Sequence, residues 1–346
     1  MIKNAKRPLS STKVLFQPGK ESTLQDRFGR TFKTLRVSVT DRCDLRCRYC
    51  MPKEGLSWIS NENLLTLEER LRVTKLLIGL GIERIKITGG EPLLDPQLPE
   101  LVKNLSQLPL KDLSLTTNGT HLESMALPLK KAGLKRITVS LDSLESERFK
   151  SMTRGGSLKK VWKGLLAAED AGLNPLKINC VVLRENQEDL IPLARLTFDH
   201  PWEIRFIEYM PVTRAVGLSR SESIPPNEIK QMFEKAFGKP EPLSGYPHAP
   251  ATDFHLPWAL GKIGFISSVS ESFCSRCDRL RLSADGFLKL CMAHSDGLPL
   301  RPLLRAGVSN EDLTDHILKA VYQKPEGHSF WFKSPEPEEA MSRIGG

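Results

Sequence analysis

The sequence contains no apolar run long enough to cross a membrane. Its longer runs, such as residues 76–80, fall far short of the roughly 20 residues that span a bilayer. Cysteine usage does not suit a disulfide-bonded secreted protein either, because the seven cysteines are an odd number and six of them fall into two tight groups. No apolar signal segment opens the chain. We therefore expect a cytoplasmic protein whose grouped thiols bind metal.

Acidic residues are the scarcer charged class, with 41 Asp and Glu against 50 Lys and Arg and a formal charge of +9. Such a charge favours phosphates or nucleic acid as partners. The basic residues are spread along the chain, however, so a solvated basic surface explains them equally well. Residues 1–24 hold no acidic side chain before Glu21, and we interpret them as a disordered lead-in.

Strand and helix patterns alternate from residue 35 to residue 209. Strands are predicted at residues 35–39, 84–88, 113–117, 136–141, 177–183 and 203–209. Helices are predicted between them, the first capped by Thr66 and Glu69 and the second beginning at Asp95 and Pro96. Six strand–helix units imply parallel strands with right-handed crossovers, hence a partial barrel or a strongly curved open sheet.

Prolines concentrate in residues 211–258, which predicts a connection between domains with little regular structure. A smaller region follows, with strands at 262–269 and 280–282 and a helix at 309–321. We divide the chain into a lead-in (1–24), a barrel (25–220), a carboxyl-terminal domain (221–336) and a tail (337–346).

A first cysteine triplet, Cys43, Cys47 and Cys50, comes directly after the first predicted strand. Three thiolates hold three corners of a four-iron cluster and leave one iron open to another ligand. The alternative is a zinc site completed by a distant histidine or cysteine. The three-then-two spacing favours the cluster, because zinc pairs usually have two residues between them.

A second triplet, Cys274, Cys277 and Cys291, is followed by His294. Three cysteines and a histidine at these spacings also suit a closed zinc site, so the spacing leaves zinc and a second cluster open. Between these cysteines, Arg279-Leu280-Arg281 forms a predicted strand with both guanidinium groups on one face. That arrangement suits a clamp for a phosphate or a base edge.

Glycines and polar residues stand at the ends of the predicted strands, where parallel-strand proteins bind ligands. After the second strand, Gly89 and Gly90 permit close backbone approach, and Glu91 offers a carboxylate to a cationic amine. A plain turn is the alternative. The others, which suit a nucleoside-like ligand or cap the following helices, are Thr116, Thr117, Asn118, Ser140 and Asp142.

Two basic residues, Arg36 and Lys86, lie within otherwise apolar predicted strands. A charge is costly there unless it is paired, so each contacts either an anion or a neighbouring carboxylate. Cys180, in the middle of the fifth strand, is interpreted as a small buried apolar residue.

The first triplet, followed by Gly89-Gly90-Glu91-Pro92 on the next strand, resembles the radical S-adenosylmethionine superfamily. The second triplet with Arg279-Leu280-Arg281, the run at residues 40–52 and the terminal Gly345-Gly346 narrow the resemblance to the GTP 3′,8-cyclases of molybdenum cofactor biosynthesis. This resemblance implies an incomplete (β/α)6 TIM-type barrel with a smaller carboxyl-terminal α+β domain that binds a cluster.

The resemblance also implies the chemistry. One electron on the first of two 4Fe-4S clusters cleaves S-adenosylmethionine and releases a 5′-deoxyadenosyl radical. This radical removes hydrogen from C3′ of GTP, and the nucleotide then closes onto C8 of its guanine. The implied partners are an external one-electron donor and cyclic pyranopterin monophosphate synthase, with no nucleic acid and no membrane. A homodimer is left open.

The implied residue roles follow the matching motif positions. The two cysteine triplets hold the two clusters, so His294 is not a ligand. The expected S-adenosylmethionine contacts are Tyr49, Gly90, Ser140 and Met210. The expected GTP contacts are Arg36, Lys86, Thr116 rather than Thr117, Lys177, Arg279, Leu280 and Arg281. Gly345 and Gly346 are expected to enter the active site and to be needed for turnover.

Overall fold

A computed structural model describes residues 23–212, 216–328, 330 and 340–345. All six predicted barrel strands are confirmed to within a residue or two at their ends. They are β1 (Thr34–Ser38), β2 (Arg84–Thr88), β3 (Asp112–Thr117), β4 (Arg136–Ser140), β5 (Lys177–Val182) and β6 (Glu203–Glu208). Each pairs in parallel with the next along the chain, as strand–helix–strand connections require.

Helices occupy the connections between these strands. They are α1 (Leu67–Gly79), α2 (Leu98–Ser106), α3 (Leu122–Lys131), α4 (Ser146–Thr153), α5 (Leu158–Asp170) and α6 (Leu190–Asp199). The predicted capping box of α1 is confirmed, because the Thr66 hydroxyl accepts from the Glu69 amide at 3.2 Å and the Glu69 carboxylate accepts from the Thr66 amide at 2.9 Å. The predicted start of α2 is wrong. The Asp95 carboxylate instead accepts from the Arg70 guanidinium at 2.7 Å and forms a turn with the Gln97 amide at 2.9 Å.

Within the described residues, the carboxyl-terminal region adds six strands and four helices. The strands are β7 (Glu241–Pro242), β8 (Thr252–His255), β9 (Lys262–Ile266), β10 (Arg279–Leu282), β11 (Phe287–Lys289) and β12 (Gly297–Pro299). The helices are α7 (Pro226–Phe237), α8 (Leu300–Arg305), α9 (Asn310–Tyr322) and α10 (Met341–Ile344). The long helix α7 contradicts the prediction that residues 211–258 lack regular structure. Its prolines stand at the first turn, where a missing N–H leaves no hydrogen bond unmade.

All twelve strands belong to one sheet, in the order β12-β11-β10-β1-β2-β3-β4-β5-β6-β9-β8-β7. Strand β10 pairs in parallel with β1, and β9 pairs in parallel with β6. The carboxyl-terminal region therefore extends the partial barrel at both of its edges. Because β10 pairs with β1, the cysteines next to β10 lie close to the first strand of the barrel.

The apolar faces of the outer helices pack against the sheet. In α2 the predicted stripe is confirmed, with Leu98, Leu101, Val102 and Leu105 all fully buried. Leu24 is also buried, so the core reaches into the predicted lead-in, whose residues 1–22 lie outside the described residues. Within the described chain, no helix combines the length and the apolar character needed to span a membrane.

Candidate active site

A cavity of about 310 Å³ opens at the carboxyl ends of the barrel strands. Its wall contains the ends of β2, β3, β4, β5 and β6, together with residues of the carboxyl-terminal region. All six grouped cysteines line it: Cys43, Cys47, Cys50, Cys274, Cys277 and Cys291. All six are free thiols. The two triplets are thus brought to one space, although more than 200 residues separate them in sequence.

Backbone hydrogen bonds hold the first cysteine loop against the end of α4. The Arg46 and Arg48 amides donate to the carbonyls of Thr153 and Met152 at 3.1 and 2.9 Å. Burial raises the pKa of Cys43 and of Cys50 to about 12 in each case. These thiols are therefore neutral near pH 7 until a cationic centre displaces their protons, which is how metal-binding cysteines behave.

Gly89 and Gly90 make room for the chain that leads into the first triplet. A Cβ on Gly90 would lie 2.3 Å from the Arg42 carbonyl oxygen, and one on Gly89 would lie 2.6 Å from that of Thr40. The Gly90 amide donates to the Thr40 carbonyl at 2.7 Å. The glycines therefore fix the approach of the cysteine loop, and Gly90 also lines the cavity, as a ligand contact requires.

Glu91 does not offer its carboxylate to the cavity, contrary to the interpretation from sequence. It is fully buried and accepts from the Thr117 hydroxyl and the Asn118 amide, each at 2.7 Å. Burial raises the pKa of Glu91 to about 7. The hydrogen bonds favour the charged form and lower the pKa, but their effect is smaller than that of burial. Glu91 ties the end of β2 to the end of β3 and so shapes the cavity wall.

The structure gives His294 a partner other than the cysteines of the second triplet. That histidine is not part of the cavity wall, and its Nε2 lies 3.0 Å from the Gly327 carbonyl oxygen. Within the described residues, no three Cys, His, Asp or Glu side chains are spaced to share one metal ion. Four-iron clusters differ from zinc in that each thiolate binds a different iron, so the thiols need not converge on a point. Each triplet supplies three thiols to the cavity wall, and three thiols are the ligands that such a cluster with one open iron needs.

A row of basic side chains crosses three neighbouring strands. Arg36 on β1 is the register partner of Arg281 on β10 and of Lys86 on β2. Register partners in parallel strands point to the same face, and all three line the cavity. Neither Arg36 nor Lys86 forms a hydrogen bond or an ion pair with any residue in the described part of the chain. The alternative of a neighbouring carboxylate is thereby not supported for these two residues.

The electrostatics of the row call for an anion. Burial, and then the charge of Arg36, hold the pKa of Lys86 well below its usual value, and burial followed by Arg281 does the same to the pKa of Arg36. Burial, followed by the charge of Arg279, lowers the pKa of Arg281 to about 10. Six basic side chains and one carboxylate, that of Glu208, line the cavity among the described residues. A polyanionic ligand would relieve this repulsion.

Two of the expected GTP contacts lie off the cavity wall. The Lys177 ammonium is bonded to the Glu203 carboxylate, and burial lowers the pKa of Lys177 to about 8. The Leu280 side chain is fully buried in the main core, because it points to the opposite face of β10 from its two arginine neighbours. Their roles stay predictions, and for Leu280 only the backbone is placed to contact a ligand.

The structure brings the four expected S-adenosylmethionine contacts to the same cavity. Tyr49, Gly90, Ser140 and Met210 all line the cavity. The Tyr49 hydroxyl donates to the Asp142 carboxylate at 2.7 Å, so Asp142 itself is engaged and buried.

The two neighbouring threonines of β3 are not equivalent. Both line the cavity, but the Thr117 hydroxyl is bonded to Glu91, whereas the Thr116 hydroxyl has no partner among the described residues. An unpaired buried hydroxyl is costly without a ligand. This difference favours Thr116 as the group that contacts a substrate.

The tail returns to the same cavity. In α10, Met341 and Ser342 line it, and the Met341 amide donates to the Cys50 carbonyl at 3.2 Å. The Arg281 guanidinium donates to the Gly345 carbonyl. Gly345 adopts φ +78°, and a Cβ there would lie 2.2 Å from the Ser38 hydroxyl oxygen. Gly346 lies outside the described residues.

Two basic residues of the cavity, Arg205 and Lys324, were missed from sequence. Arg205 on β6 is the register partner of Asn179 on β5, which in turn pairs with Ser140 on β4, and all three line the cavity. The Arg205 Nε has no hydrogen-bond partner in the described chain. The signal that identified Arg36 and Lys86, a charge inside an apolar strand, was also present at Arg205.

Comparison with known proteins agrees with this geometry. Residues 37–197 match the Radical SAM superfamily, and residues 202–330 match the family Molybdenum Cofactor Synthesis C. The GTP 3′,8-cyclase of Moorella thermoacetica is 42% identical over 329 residues, which cover 93% of this chain and 100% of that protein. The GTP 3′,8-cyclase of Petrotoga mobilis is 40% identical over 323 residues, which cover 93% of this chain and 99% of that protein.

The fold has a counterpart among solved structures. The crystal structure of Streptococcus suis SuiB bound to S-adenosylmethionine matches with a TM-score of 0.57 and 14% identity, over 90% of this chain and 77% of that chain. This likeness shows the fold alone, and it confirms the predicted partial TIM-type barrel. The two family matches and the relatives at about 40% identity establish that the chain belongs to the GTP 3′,8-cyclase family within the radical S-adenosylmethionine superfamily.

Proposed function

We propose that this chain converts GTP to 3′,8-cyclo-7,8-dihydro-GTP, the first step of molybdenum cofactor biosynthesis. The observation that carries the proposal is a single cavity with both cysteine triplets and a row of basic side chains in its wall. The reaction needs a radical source and a polyanion site facing one another. The geometry supports both in one enclosed space.

Cofactor chemistry starts at the first triplet. When bound, the cluster and S-adenosylmethionine supply a 5′-deoxyadenosyl radical by one-electron reduction. Cys43, Cys47 and Cys50 would hold that cluster, and Tyr49, Gly90, Ser140 and Met210 would orient S-adenosylmethionine beside it. The apolar side chains of Leu45, Val181, Ile207 and Ile266 also line the cavity and would limit access of water to the reacting carbon atoms.

The substrate would lie across the other wall. Arg36, Lys86, Arg279 and Arg281 would bind the triphosphate, since all four line the cavity and neither Arg36 nor Lys86 has a carboxylate partner among the described residues. The free hydroxyl of Thr116 would accept a hydrogen bond from the ribose or donate one to it. Cys274, Cys277 and Cys291 would hold the second cluster, which would supply an open iron as a binding position for the guanine.

The finer assignments belong to the same proposal. Residues 25–220 would form the radical-generating unit and residues 221–336 the unit that binds the second cluster. An external one-electron donor and cyclic pyranopterin monophosphate synthase would act before and after the chain, and a homodimer is not required by the site. A cytoplasmic location follows from the proposed clusters, because their thiolates need a reducing compartment.

The deciding experiment is anaerobic incubation of the reconstituted protein with GTP, S-adenosylmethionine and dithionite. We expect 5′-deoxyadenosine and a cyclised nucleotide, and about eight iron and eight sulfide per chain. Stoichiometric zinc that survives in air, or 5′-deoxyadenosine formed without any GTP-derived product, would contradict the proposal. The first outcome would favour a structural metal site, and the second would favour another substrate.

Deleting Gly345 and Gly346 should lower product formation at least about tenfold while both clusters remain bound, because the tail completes the cavity wall at Arg281. Gly345→Ala should act in the same direction, since its Cβ would meet Ser38. Gly238→Ala is the matched control, because Gly238 also has a positive φ, +76°, but has no atom within 4 Å of an added Cβ. Product formation is measured with iron content alongside, and unchanged turnover in the deletion variant would refute the role of the tail.

Replacing Lys86 with Met should weaken GTP binding by about 10- to 100-fold, because one charged hydrogen bond to the triphosphate is lost. The same change should raise the melting temperature of the GTP-free protein by about 2 °C, because it removes a desolvated amine that has no hydrogen-bond partner among the described residues. Anaerobic calorimetry and thermal melts measure the two effects. Lys103→Gln, an exposed change on α2, should alter neither. A melting temperature that falls with Lys86→Met would mean that Lys86 is paired in the chain.

A further inference from the structure

Residues 24–32, which precede β1, pack against the second cysteine triplet. Their backbone is held by hydrogen bonds from the Leu24 amide to the Leu80 carbonyl at 3.2 Å and from the Arg27 amide to the Tyr322 carbonyl at 3.2 Å. Leu24 and Phe32 at the two ends of the segment are buried in the core. This segment lies outside both ranges that match known families, because the first range begins at residue 37 and the second at residue 202. Its position places one buried arginine, Arg30, directly beside Cys274.

Every N–H group of Arg30 has an acceptor. The Nη1 donates to the Cys274 carbonyl at 2.8 Å and to the Glu326 carbonyl at 2.6 Å. The Nη2 donates to the Pro325 carbonyl at 2.7 Å, while Nε and Nη2 both lie 2.6 Å from the Asp26 carboxylate. Arg30 is 9% exposed and Asp26 is 3% exposed. A guanidinium group is suited to this work because its five donors are held in one rigid plane.

The segment that Arg30 binds also supports the other end of the second triplet. Lys324 in this segment donates to the carbonyl of Leu290, the residue before Cys291, and to the Arg279 carbonyl at 3.3 Å. Gly327 lies so close to Cys274 that an added Cβ would be 3.6 Å from its sulfur. Residues 324–327 therefore connect the two distant parts of the triplet, and Arg30 fixes this connection to Cys274.

We propose that Arg30 is a positioning residue for the second cluster: it holds the backbone of Cys274 and of residues 325–326 in the arrangement that the three thiolates need. The inference rests on the proposed function, since it takes the second triplet to be cluster ligands. Arg30 is not among the residues that line the cavity, so it is not placed to contact GTP or S-adenosylmethionine directly. Its effect is confined to the second triplet, because none of its hydrogen bonds reaches the first cysteine loop.

The first test uses the full chain without metal. Iodoacetamide modification of each cysteine is followed anaerobically by peptide mass spectrometry in wild type, Arg30→Ala and Arg30→Lys. We expect Cys274 to react about tenfold faster in Arg30→Ala, because its loop opens more often, while the rate at Cys43 stays within about twofold of wild type. Arg30→Lys should fall between, since an ammonium has three donors. Arg27→Ala is the matched control, because Arg27 is exposed and its guanidinium lies over the Phe28 ring, with no hydrogen bond or ion pair to another side chain among the described residues.

The second test uses the reconstituted protein. Arg30→Ala should bind about four iron per chain in place of about eight, lose the electron paramagnetic resonance signal of the second cluster, and still cleave S-adenosylmethionine. If Arg30→Ala does not fold, Asp26→Asn is used, because it keeps the shape and removes the carboxylate that orients Arg30. It should lower iron binding in the same direction.

Contrary outcomes are distinct. Equal reactivity of Cys274 in wild type and Arg30→Ala, with about eight iron bound, would overturn the role of Arg30 and leave the proposed function intact. Faster modification of all six grouped cysteines would also overturn it, because that pattern reports general loss of stability. Wild-type protein with about four iron would contradict the proposed function. The change in modification rate at Cys274, compared with that at Cys43, would still decide whether Arg30 holds the Cys274 loop.

Discussion

Replacing Cys47 with Ala should lower reductive cleavage of S-adenosylmethionine by more than about 100-fold. Cys47 is the middle thiol of the first triplet. The chain turns back after it, because the Cys50 and Met51 amides donate to the Cys47 carbonyl at 2.9 and 3.1 Å. Two thiols in that loop would be left to hold a four-iron cluster. Release of 5′-deoxyadenosine under dithionite, measured by chromatography, is the direct assay.

Cys180→Ala provides the matched control for Cys47→Ala. Cys180 is a fully buried thiol on β5 that is absent from the cavity wall, as the sequence predicted for a small apolar residue. Its loss should cost about 1 kcal/mol of stability or less and leave cleavage unchanged. Retained cleavage in Cys47→Ala would refute the assignment of the first cluster, whereas lost cleavage in both variants would indicate a general sensitivity to thiol removal.

Replacing Cys291 with Ala should separate the two halves of the reaction. We expect cleavage of S-adenosylmethionine to continue in some measure, because the first triplet is unaltered, while GTP cyclisation falls by more than about 100-fold. Burial raises the pKa of Cys291, so its thiol, like those of the first triplet, is neutral until a metal centre binds. The measurement is the ratio of cyclised nucleotide to 5′-deoxyadenosine in one anaerobic reaction.

His294→Gln is the control that distinguishes a second cluster from zinc. The zinc alternative from sequence uses His294 as fourth ligand, and it predicts loss of metal in this variant. The structure has His294 Nε2 at 3.0 Å from the Gly327 carbonyl, a contact that a glutamine amide can replace. We therefore expect iron content and turnover close to wild type. Normal product formation in Cys291→Ala would mean that the second triplet is structural.

Local patterns predicted most of the elements correctly. The capping box at Thr66, the apolar stripe of α2 and the six barrel strands depend on residues close in sequence, whose preferences tertiary packing did not override. The exceptions have identifiable physical causes. Asp95 is bound by a distant arginine, and the prolines near residue 225 begin a helix where prolines usually end one.

Candidate site residues could be located from sequence where the residue type itself carries the chemistry. Three closely spaced cysteines, and a charge such as Lys86 in an apolar strand, indicate a site whatever surrounds them. Glu91 and Asp142 were harder, because a carboxylate at a strand end has the same sequence signal whether it faces a ligand or, as here, accepts hydrogen bonds from neighbouring strands. Arg30 carried no signal, since the carbonyls that its guanidinium binds lie about 240 to 300 residues away in sequence.

The sequence by itself determined the strand–helix order, the two triplets and the family resemblance, because each is written in neighbouring residues. Only the tertiary structure decided that β10 pairs with β1, and this pairing sets Arg281, Arg36 and Lys86 in one row and brings both triplets to one cavity. It also decided which polar groups remain without partners. The physical reason is that strand register and burial depend on contacts between distant segments, which no local pattern encodes.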